Sequence, residues 1–140
     1  MTRNDIRLAE HTARARAIIM AIAALVLLLN LWLQFGDPAY VSANARGGSW
    51  IVVIGIWLFL LWNGGGLNRN PAVCAIINDE LSLSNRSRAI AAGFYAAIVA
   101  GLAAYVAQWW YAISAGDALK IVTAIPMAVA LARFSWLEWR

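Results

Sequence analysis

The densest run of chemistry-bearing side chains is Asp79, Glu80, Asn85, Arg86 and Arg88. Glu80, Ser84 and Arg88 recur every fourth residue, so a helix through them carries all three on one face. Asn78 or Asp79 can cap the start of that helix, with acids in its first turn and arginines further along, the order that suits the helix dipole. Two acids and two arginines so placed suit recognition, either docking a cytoplasmic partner or clasping the N-terminal arginines. The plainer alternative is that they anchor a helix at the water–lipid boundary, since exposed ion pairs add little stability. Bond-making chemistry has no comparable set. The single histidine, His11, lies in the N-terminal tail, and the single cysteine, Cys74, excludes an internal disulfide. A structural zinc site or bis-His haem would have no ligands, and no nucleophile–base pair is visible. No catalytic, cofactor-binding or metal-binding residue is assigned.

These residues must be positioned by a membrane protein. Of 140 residues, 63% are hydrophobic and 13% charged, against about 25% charged in soluble domains. Apolar segments run near 17–35, 49–62, 89–111 and 118–136, joined by a loop over 63–88. Threaded alternately with the N-terminus inside, the chain puts Arg3, Arg7, Arg14, Arg16, Arg69, Arg86, Arg88, Arg133 and Arg140 in the cytoplasm and only Arg46 and Lys120 outside. Lys and Arg in short loops are retained on the cytoplasmic side, so this imbalance fixes the orientation. The high pI of 9.8 then reflects topology and attraction to anionic lipid rather than nucleic-acid binding. The first apolar run is longer than a signal-peptide core and ends well before Ala43-Asn44-Ala45, so it reads as an uncleaved span.

The polar stretch 2–16 reads as a helical lead-in to the first span, whose nineteen uncharged residues reach about 28 Å, enough for a hydrocarbon core of about 30 Å. The second is short: its dense part, Trp50–Trp62, lies between Gly47-Gly48 and Gly64-Gly65-Gly66, where the ends can unwind. The helix beginning near Asp79 is expected to continue unbroken into the third span and to end near Tyr111. There Gly93, Ala97 and Gly101 form a smooth face for close helix approach, either across a homo-oligomer or, more simply, within the chain. In the fourth span Pro126 is expected to kink the helix and free the Val122 carbonyl, a candidate hinge. Trp32, Trp50, Trp109 and Trp110 fall at the outer interface, Trp62, Trp136 and Trp139 at the inner one, as aromatic belts do. Trp57 alone lies deep. Asn30, Gln34, Gln108 and Thr123 are the polar residues within the spans, and Gln34 and Gln108 could meet.

Asn78-Asp79-Glu80, Asn85-Arg86, Arg88-Ala89 and Gly93-Phe94 together resemble a signature of small four-span bacterial membrane proteins, in which N-D-E followed by a basic stretch opens the third helix. The resemblance covers about 25 residues. Some similar proteins are encoded beside small helix-turn-helix regulators. That implies a membrane partner that holds a regulator inactive, with Asp79, Glu80, Arg86 and Arg88 as its contacts.

The sequence thus reads as one all-α domain, an integral membrane four-helix bundle of a bacterial inner membrane with both termini cytoplasmic. The expected function is non-enzymatic: regulating a cytoplasmic partner or serving as an accessory subunit of a larger membrane complex, with membrane lipid around it and no direct nucleic-acid contact. The alternative is a small oligomeric transporter or channel subunit, motivated by the small-residue face and Pro126. A pigment-binding subunit or enzyme has no residues to support it.

Overall fold

A computed structural model describes the backbone of residues 3–36, 43–62 and 80–139, and the side chains of 11–33, 50–62 and 80–139. The described residues are all-α, in four helices: α1 (Arg3–Gly36), α2 (Ala43–Trp62), α3 (Glu80–Ala107) and α4 (Ala115–Trp139). Three of them are long and apolar enough to cross a membrane, and the apolar part of α2, Trp50–Trp62, is shorter.

α4 is the hub. It packs extensively against α3 and α1 and only sparsely against α2. On α1 the buried stripe is Arg16, Met20, Ala23, Ala24, Leu27 and Leu31, the three- and four-residue spacing of one helical face. On α3 it is Ser82, Asn85, Ala89, Gly93 and Ala100. α4 offers Ala124, Met127, Ala128, Leu131, Phe134 and Ser135 to both neighbours. Much of this interior is alanine, which lets helix backbones approach closely where lipid, rather than water, is the competing solvent. The outside is apolar. Leu25, Leu29, Ile51, Phe59, Val99 and Leu102 are all more than half exposed. A surface patch this apolar is an interaction surface in water and an ordinary surface in lipid.

Two boundaries differ from the sequence reading. α2 begins at Ala43 and runs through Gly47 and Gly48 instead of unwinding there. Each glycine costs only about 1 kcal/mol in a helix, less than leaving the backbone donors of the first turns without partners. α3 ends at Ala107, short of Tyr111. Beyond it the turns tighten, with Trp109 N donating to Val106 O at 3.1 Å and Trp110 N to Ala107 O at 3.1 Å, before Ile113 N bonds Tyr111 O at 2.9 Å. Three consecutive bulky aromatics favour leaving the helix, where side-chain freedom is regained. Two other expectations agree with the backbone: α1 is helical from Arg3 into its apolar part, and α3 runs unbroken from Glu80 into its own.

Candidate functional site: a polar clasp at the arginine-rich end

The starts of α1's apolar part and of α3 meet the end of α4 at one end of the molecule. Arg16 of α1 is 2% exposed. Its Nη2 donates to Ser82 Oγ of α3 at 3.4 Å, and its guanidinium carbon lies 5.7 Å from the centroid of the Phe134 ring of α4, within cation–π range. Ser135, next along α4, donates its hydroxyl to Ala17 O at 2.7 Å. Asn85 Nδ2 approaches Leu137 O at 3.5 Å and Glu138 Oε1 at 3.4 Å. A buried charge is tolerated only when it is held by such partners. This set therefore fixes α1, α3 and α4 at one register.

The sequence-selected polar residues are separated by the fold. Asp79 lies outside the described residues. Glu80 opens α3 and is exposed, as is Arg88. Asn85 is 6% exposed and turned into the clasp, so a partner arriving from water does not reach it. Arg86 donates through Nη1 to the Trp62 carbonyl, capping the C-terminus of α2 as a basic side chain can. Of the small-residue face, Gly93 sits against α4, where an added Cβ would lie 3.0 Å from both Pro126 O and Ala130 Cβ. Ala97 borders a shallow recess of 250 Å³ with Gly93, Pro126 and Ala130. At Gly101 a Cβ would meet nothing within 4 Å. Pro126 lies inside α4, which stays helical on both sides of it.

Several working residues were not singled out from the sequence. Arg16 was grouped with the topology-setting arginines, although it continues the α1 stripe one turn below Met20, whereas Arg14, two residues earlier, is exposed. Trp50, placed in the outer aromatic belt, is 5% exposed and donates from Nε1 to Thr123 Oγ1 at 3.1 Å. Thr123 in turn donates to Leu119 O at 2.8 Å. Trp57 packs against the core, and its buried Nε1 has no hydrogen-bond partner among the described residues. Gln108 is exposed, and the side chain of Gln34 lies outside the described residues. At the far end Ser114 caps the start of α4: Asp117 N donates to Ser114 Oγ at 3.1 Å, and Ser114 Oγ donates to Asp117 Oδ2 at 2.7 Å. Lys120 pairs with Asp117 at 3.2 Å.

The described residues hold no cluster of three or more His, Cys, Asp or Glu that could bind a metal. No protein-family profile, curated protein or solved structure matches the chain.

Proposed function

We propose that the chain is a multi-pass protein of a bacterial inner membrane, with its arginine-rich end and both termini in the cytoplasm. Support comes from three helices of spanning length, and from where the charges fall. Arg16, Arg86, Arg88 and Arg133 flank the clasp end, while Lys120 pairs with Asp117 at the other. That asymmetry is the one insertion reads.

Within that frame the role is non-catalytic interaction, regulating a cytoplasmic partner or joining a membrane complex as an accessory subunit. One observation carries this reading. The first turns of α3 engage Asn85 and Arg86 internally, yet present Glu80 and Arg88 to the outside, with no side-chain bond to either among the described residues. A rigidly held turn with outward charges of both signs is a surface that can select a partner by charge complementarity. The test is affinity purification of the tagged protein in mild detergent, comparing the natural chain with one carrying Asp79→Lys, Glu80→Lys and Arg88→Glu. Loss of a stoichiometric partner is the expected result; unchanged capture contradicts the docking surface. A soluble DNA-binding partner would mark a regulator, and membrane subunits an accessory chain.

The oligomeric transporter or channel keeps one supporting observation: the open space at Gly101, beside exposed Leu102 and Tyr105. Solute flux from liposomes holding a defined oligomer would favour it.

A further inference from the structure

α2 leans on α4 but lies apart from α3 over the last turns before the arginine-rich end, and a groove of 460 Å³ remains between them. Leu58, Leu61 and Trp62 of α2 and Leu83, Arg86, Ser87 and Ile90 of α3 line it. The volume is within the range of about 300–1,000 Å³ typical of small-ligand sites. Its chemistry is graded. Leu58, Leu61 and Ile90 make an apolar floor that opens to the outside, with Leu58 and Ile90 about half exposed. Arg86 and Ser87 sit together at the end nearest the clasp. The bond from Arg86 Nη1 to the Trp62 carbonyl ties the guanidinium to the end of α2, and both residues line the groove. That bond uses only one of its five donors. Among the described residues Arg86 makes no ion pair, and the Ser87 hydroxyl has no partner.

We propose that this groove seats one anionic phospholipid, its phosphate on Arg86 and Ser87 and an acyl chain against Leu58, Leu61 and Ile90. The proposal rests on the membrane reading above. Charge complementarity selects the occupant. A basic residue at the cytoplasmic end of an apolar inter-helix groove attracts anionic headgroups, and a guanidinium held in place offers a planar fork to phosphate oxygens. An exposed Trp62 at the same level suits the headgroup boundary.

The test reconstitutes the full chain into vesicles of phosphatidylcholine with phosphatidylglycerol. Integration is checked by resistance to alkaline extraction, and retained lipid is then counted by native mass spectrometry from mild detergent. The natural chain and Arg133→Gln, whose charge lies on α4 and off the groove, should each keep one phosphatidylglycerol in preference to phosphatidylcholine. Arg86→Gln should lower that retention about fivefold, the effect of one basic residue near a surface. Ile90→Trp, which fills the floor and keeps the charge, should lower it as well, so a folding defect at Arg86 alone cannot mimic the result. Equal retention of both lipids, retention unchanged in Arg86→Gln and Ile90→Trp, or a second copy of the chain in place of lipid would each overturn the proposal. A chain that integrates without lipid preference defeats the lipid site alone, whereas a chain that fails to integrate defeats the membrane reading with it.

Discussion

The two ends of the molecule are fastened by different means. At the arginine-rich end the polar bonds join helices far apart in sequence: Arg16 to Ser82, Ser135 to Ala17, Asn85 to Glu138. At the opposite end they are mainly local, the Ser114–Asp117 cap and the Lys120–Asp117 pair, with Trp50–Thr123 as the bond between helices. Local bonds order one helix terminus and leave its neighbours free; bonds between helices fix register. The clasp end should therefore behave as one cooperative unit, and the other end should open with little effect on it. α2 is intermediate, held by Trp50–Thr123 near one end and by Arg86 at the other.

The sharpest way to break this contrast is to wedge α3 from α4 beside the clasp. Gly93→Leu must displace the Pro126 carbonyl and Ala130, so unfolding in mixed detergent micelles should show a loss of about 3 kcal/mol. Gly101→Leu, built into open space, should cost nothing and should add up to about 1 kcal/mol by removing a glycine from the helix. Arg16→Ala removes the guanidinium from Phe134 and Ser82 and should cost about 2 kcal/mol, with α1 and α3 losing hydrogen-exchange protection together. Ser114→Ala should cost about 1 kcal/mol, with the loss of protection confined to the first turn of α4. Thr123→Val, which removes the hydroxyl that accepts from Trp50 at nearly unchanged volume, should cost about 0.6 kcal/mol in the same unfolding assay. If Ser114→Ala loosened the clasp as much as Arg16→Ala does, the division into a cooperative end and a local end would be wrong.

Helix type and position were readable because the apolar runs are long and their composition leaves few alternatives. Continuity of α3 from Glu80 was readable from the acid-to-base order of its first turns. The end of α3 was not, because Trp109, Trp110 and Tyr111 are as apolar as the span they follow, and hydropathy does not register that bulky aromatics favour a tighter turn. Arg16 shows the second limit. Its charge matches every other arginine near a span, and only its phase with Met20, Ala23 and Leu27 places it inward. Trp50 shows the same limit on α2: its position in the sequence suits an interfacial belt, while burial depends on which face meets α4. The cap at Ser114 is different, since its Ser-x-x-Asp spacing is a local signal that the sequence does carry.

The orientation of the arginine-rich end is tested most directly by labelling single thiols with a membrane-impermeant maleimide. The native Cys74 marks the stretch of sequence between α2 and α3, and Ala112→Cys in a Cys74→Ser chain marks the segment between α3 and α4. In intact spheroplasts Ala112→Cys should label and Cys74 should not; after permeabilisation both should. Labelling of Cys74 from outside, or of both thiols from one side, would contradict a bundle with its clasp in the cytoplasm.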